Sequence, residues 1–94
     1  MTTKIQQAKV IHQFAAAEKL RAGVPLTIKD WCALEGVSRE AWYQAVRRGD
    51  APTHYRNGGL IRIAAADYSS WVEARKEARR RQEAAEAERA PEAA

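Results

Sequence analysis

Residues 27–49 read as two short helices joined by a turn with no residue to spare, and few folds accommodate such a unit. The first helix, 27–34, runs into Glu35, Gly36 and Val37; the second, 38–48, is closed by Gly49. Thr27 with Asp30 three positions on resembles a capping box, with Asp standing for the longer Glu or Gln. Ile28, Trp31, Cys32 and Leu34 supply an apolar face across two turns. Gly36 permits the backbone conformation that a sharp interhelical turn needs, and Val37 is placed to plug the gap between the helices. Ser38 is a favourable N-cap. On the second helix Trp42, Ala45 and Val46 share one face, which is expected to pack. Arg39, Glu40, Tyr43, Gln44 and Arg47 share the other, which stays free, and Arg48 complements the negative end of the helix dipole.

Directly afterwards, 53–56 and 60–63 flank Asn57, Gly58 and Gly59, a hairpin signal. Ile61 and Ile63 point one way along its second strand, Leu60 and Arg62 the other. A lone hairpin is marginal in water, so its apolar side is expected to lie on the helices. Ahead of the unit, 5–22 predicts one helix whose stripe of Ile5, Ala8, Ile11, Phe14, Ala15 and Ala17 or Glu18 either packs on the core or mediates self-association. Gly23 and Pro25 end it. A last helix starts at 64–72, with Asp67 in its first turn and Tyr68, Trp71 and Val72 as core contacts. Beyond Arg75 only alanines supply apolar atoms, which predicts an exposed helix held by pairs such as Glu77 with Arg81 and fraying around Pro91. The expected class is mainly α with a small β-hairpin: a winged helix-turn-helix with an added N-terminal helix and a long C-terminal helix, divided as 1–25, 26–74 and 75–94.

Ninety-four residues make one domain and leave little room for an enzymatic cleft. The formal net charge of +4 suits a polyanionic partner without requiring one. Arg75, Lys76, Arg79, Arg80 and Arg81 form a basic run, and Glu83, Glu86, Glu88 and Glu92 come after it against Arg89 alone. The basic run reads as a solvated face, as a set of phosphate contacts or as a contact with a neighbouring protomer. The single cysteine, Cys32, reads as a buried small hydrophobe. His12 and His54 lack a cysteine or carboxylate at ligand spacing, and no Ser, His and Asp constellation is visible, so neither metal, cofactor nor catalysis is expected. No apolar run approaches the roughly 18 residues of a membrane span and no leader is visible, so a cytoplasmic protein is expected.

A helix-turn-helix with a β-wing is a DNA-docking device. The free face of the second helix suits a major groove, where Arg forks onto guanine, Gln onto adenine, and Glu accepts from cytosine. The expected DNA contacts are Ser38, Arg39, Glu40, Tyr43, Gln44, Arg47 and Arg48, with Thr27 at the entry to the unit. Arg56, Asn57 and Arg62 add the wing, where arginine suits a minor groove or phosphate. Trp31, Trp42 and Trp71 fall on apolar helix phases and are expected in the core rather than stacked on bases.

From Leu26 to about Val72 the chain resembles the small winged-helix proteins of the MerR-like superfamily, typified by AlpA-type prophage regulators and phage excisionases. The residues that carry the likeness are Leu26, Thr27 and Ile28, then Gly36, Val37, Ser38 and Arg39, then Trp42, Tyr43, Val46 and Gly49. Pro52, Arg56, Gly58, Gly59, Arg62, Asp67 and Trp71 continue it. It implies double-stranded DNA as partner, a helix in the major groove, a wing on the adjacent minor groove, and Ser38, Arg39, Tyr43, Arg47 and Arg56 as leading positions. It also implies an excisionase that self-associates on attachment-site DNA, bends it and steers an integrase. A transcriptional regulator of the AlpA type, or the DNA-recognising subunit of a phage packaging machine, are the alternative readings. Ala45 is smaller than the residue many members carry, the wing is less basic, and residues 5–22 and the charged tail lie outside the likeness.

Overall fold

The computed structural model describes residues 3–89. In chain order these form α1 (Lys4–Ala22), α2 (Ile28–Glu35), α3 (Arg39–Arg48), β1 (Tyr55–Asn57), β2 (Leu60–Arg62) and α4 (Ala65–Arg89). The result is a mainly α-helical winged helix-turn-helix arrangement, with one antiparallel two-stranded hairpin as its β-structure among the described residues. The fraying expected around Pro91 lies outside those residues. α4 runs unbroken across position 74.

Leu26, Ile28, Trp31, Trp42, Ala45, Ile63 and Tyr68 form the buried core. Leu26 and Ile63 exchange both backbone hydrogen bonds, at 2.7 and 2.8 Å, so the root of the wing is tied to the entry of α2. Trp31 meets Trp42 edge-on, with ring centroids 5.1 Å apart, and lies 5.7 Å from Trp71. Such pairs add to area burial, so this cluster is the mechanical centre of the domain. Trp71 Nε1 donates to the Asp50 carbonyl at 2.7 Å, fastening α4 to the turn after α3. Across α2, Glu35 accepts from the Tyr68 hydroxyl at 2.6 Å and from Arg75 at 3.4 Å.

α1 docks through a contact with no local signature. Asp30 is 2 % exposed, and its carboxylate accepts from Lys19 Nζ at 3.0 Å and from the Thr27 backbone N–H at 3.0 Å, with His12 Nε2 at 3.2 Å. Thr27 Oγ1 in turn accepts from the Asp30 N–H at 3.0 Å, closing the capping box. Burial alone raises the pKa of Asp30, but the Thr27 and Lys19 hydrogen bonds and the Lys19 charge outweigh it and hold the carboxyl below its ordinary value. His12 therefore has a carboxylate partner after all, 18 residues away.

Several expectations change. Of the α1 stripe, Ile5, Ile11 and Phe14 are exposed and Ala16 is the buried residue, so the stripe does not pack on the chain's own core. The helix rests instead on the side that carries His12, Ala16 and Lys19, where a small alanine allows close approach to Asp30. Val37 is exposed rather than plugging the interhelical gap. The turn there is closed by Gly36 at φ 68° and by the Val37 N–H on the Cys32 carbonyl at 3.0 Å. Val46 is exposed too, because the buried stripe of α3 centres between Trp42 and Ala45 and Val46 falls about 70° from its midline. Cys32 is half-buried, with its thiol on the Ser38 carbonyl at 3.5 Å.

Candidate nucleic-acid interface

α3 presents its polar side to solvent because Trp42 and Ala45 alone turn inward. Arg39, Glu40, Tyr43, Gln44, Arg47 and Arg48 are all exposed and share one 10-residue helix, which is about 15 Å long and fits a groove about 12 Å wide. Arg39 Nε donates to the Tyr43 hydroxyl at 3.2 Å, and its guanidinium carbon lies 6.0 Å from that ring's centroid. The Tyr43 bond raises the pKa of a guanidinium that is charged in any case. The contact matters as geometry: it holds Arg39 along the outer edge of the helix.

Arg47 bonds Glu40 at 3.1 Å and Arg48 lies 3.8 Å from Asp50. Exposed pairs of this kind stabilise by about 0–1 kcal/mol, so they hold Arg47 and Arg48 in place only weakly. Ser38 occupies the N-cap of α3 but makes no side-chain cap bond, unlike Thr3 and Thr27. Thr27 shapes the entry of α2: its Oγ1 accepts from the Asp30 N–H, a bond that does not use the hydroxyl hydrogen.

In the wing, Tyr55 faces Arg62, Arg56 faces Ile61 and Asn57 faces Leu60. Asn57 thus belongs to the strand, and the turn is Gly58–Gly59, with Gly58 at φ 67°, where a side chain would be strained. Directly opposed residues share a face, so Arg62 projects with Tyr55, Asn57 and Leu60 while Arg56 projects on the other side with Ile61. The two wing arginines therefore lie on opposite faces of the hairpin. Ile61 and Ile63 point to the core, as the alternation predicts.

Each member of the basic run on α4 faces an acid. Arg75 lies over the Trp71 ring at 4.5 Å and reaches Glu35. Lys76 is 3.4 Å from Glu73, Arg79 is 3.0 Å from Glu83, and Arg80 and Arg81 are 3.5 and 3.3 Å from Glu77. Glu77 with Arg81 is the pair read from the spacing. The sequence reading missed the Glu35, Tyr68 and Arg75 group and the Asp30 group, whose members are far apart in the chain. Burial, followed by the Glu35 bond, pushes the Tyr68 phenol well above its ordinary range, and burial raises the Cys32 thiol, so both stay neutral near pH 7. Among the described residues, no three His, Cys, Asp or Glu side chains are grouped to hold a metal ion, and no helix is long and apolar enough to cross a membrane. Comparison of the chain with protein-family models, with curated proteins and with solved structures found no match.

Proposed function

We propose that this chain binds double-stranded DNA by sequence, with α3 in the major groove and the hairpin against the neighbouring minor groove. The observation that carries the reading is the division of α3: its indole is buried in the core while arginine, tyrosine and glutamine side chains are all exposed on the other side. Arg39, Gln44 and Arg47 supply the forked and paired donors that distinguish bases, and Arg48 and the wing arginines supply charge for phosphate.

Within that reading the role we propose is an excisionase, a recombination directionality factor of a prophage or integrative element. Such a protein makes and breaks no bond; it holds attachment-site DNA in a bent path that an integrase uses. Bending a site costs on the order of 1–6 kcal/mol, which contacts from several bound copies can offset. The support is the resemblance of residues 26–72 to the small winged-helix excisionases, carried by the residues named above, and a second exposed face on α1 that leaves room for assembly.

The test pairs selection of a preferred duplex with a bending assay and an excision assay in the presence of the cognate integrase. Bending together with stimulated excision is the expected result. Occupancy of a promoter without bending would favour a transcriptional regulator, a stable oligomer formed without DNA would favour a packaging subunit, and no preference among duplexes would end the DNA reading.

A further inference from the structure

α1 uses its two sides unequally. One side is fastened to α2 through His12 and Lys19 on Asp30, with Ala16 buried beneath. The other carries Ile11 and Phe14, 69 % and 70 % exposed, with Val10 beside them at 44 %. Single exposed apolar side chains need no explanation, but three within five positions of one helix form a continuous patch.

The patch lies on a regular seam. Positions 4, 7, 11, 14, 18 and 21 alternate in steps of three and four, the spacing of a two-helix coiled coil, and all six are exposed. They read Lys4, Gln7, Ile11, Phe14, Glu18 and Arg21: apolar in the middle, polar at both ends. The order is what selects an occupant. Laid antiparallel on itself, the seam sets Ile11 of each helix against Phe14 of the other and Gln7 against Glu18, with Lys4 opposite Arg21 at the outer ends. Arg21, already bonded to Glu18 in its own helix, closes the outer layer as half of an ion pair. A parallel copy would set Lys4 on Lys4 and Glu18 on Glu18. A patch that complements itself across a twofold axis is the requirement for an isologous dimer.

We infer that this face of α1 docks antiparallel on the same face of a second copy. Three large apolar side chains per helix fall well short of the roughly 800 Å² per partner of a standard interface. The contact is therefore weak between free chains and gains strength when two copies are held side by side, as on adjacent DNA sites. That last consequence rests on the DNA-binding reading; the docking itself does not.

Two experiments on the full chain separate them. With Cys32→Ser as background, Ile11→Cys and Phe14→Cys chains are mixed and oxidised without DNA. Disulfides between position 11 of one chain and 14 of the other are expected on the order of tenfold above same-position links. A statistical mixture, an excess of same-position links, or no links would overturn the inference. On a duplex with two adjacent sites, Phe14→Glu is expected to lower cooperativity roughly tenfold with single-site affinity and helix content unchanged. Unchanged cooperativity would overturn it for the DNA-bound state. Cross-links as expected from a chain that binds no duplex would leave the docking face standing and sink the DNA reading alone.

Discussion

Arg39 is the side chain with the most to decide. Its bond to Tyr43 holds it on the outer edge of α3 without a carboxylate partner among the described residues. Arg39→Ala is expected to cost about 1–3 kcal/mol on the preferred duplex and to relax selection at one base pair, read by titrating duplexes altered one pair at a time. An evenly reduced affinity across all of them would reassign Arg39 to phosphate. Asp30 tests the interior instead. Its pKa in the folded chain lies below the 3.8 of an ordinary aspartate, so its contribution is complete above that value and is lost as pH falls through the lower one. Asp30→Asn is expected to cost on the order of 1–3 kcal/mol near pH 7, and the difference from the parent chain is expected to vanish in denaturation at strongly acid pH. Both residues were named from sequence, with different success. The exposure of Arg39 follows from its position relative to Trp42 on a helix, whereas the burial of Asp30 depends on His12 and Lys19, which no local spacing connects to it.

Among the elements, the wing depends on its root. Ile63 is fully buried and its backbone is paired with that of Leu26, so it joins hairpin to helices through both side chain and main chain. Ile63→Ala is expected to cost about 2–5 kcal/mol and to remove amide-exchange protection from 55–62 before that of α2 and α3. Equal loss everywhere would mean that the hairpin has no separate fixing point. The hairpin and the helix pair were legible because alternation, a glycine pair and a capping box are short-range signals. The docking side of α1 was not, since its bulkiest residues mark a stripe that faces solvent while a single alanine marks the contact. Val46 escaped for a related reason: α3 has one narrow buried seam, and a face drawn from period alone is wider than the seam that another helix covers.

For the molecule as a whole, charge is concentrated in effect rather than in number. The arginines and lysine of 75–81 already face glutamates or Trp71, whereas Arg39, Arg56 and Arg62 have no carboxylate partner among the described residues and Arg47 and Arg48 hold only exposed ones. A plot of log affinity against log salt is expected to have a slope of about −3 to −5, corresponding to phosphate contacts from α3 and the wing. Neutralising Arg79, Arg80 and Arg81 together is expected to change that slope by less than about one, and a larger change would place α4 on the duplex. Trp42 carries a final consequence. Its ring is packed against Trp31 on one side and lies edge-on to His54, 5.1 Å away, on the other, at the point where the chain enters the hairpin. One indole thus sets the span between α3 and the wing, like the hinge pin of a caliper locked at one opening. On the DNA-binding proposal, a duplex held at both points would have to meet that fixed width, so steps that yield easily between the two contacts are expected to be favoured over stiff ones at base pairs the protein never touches.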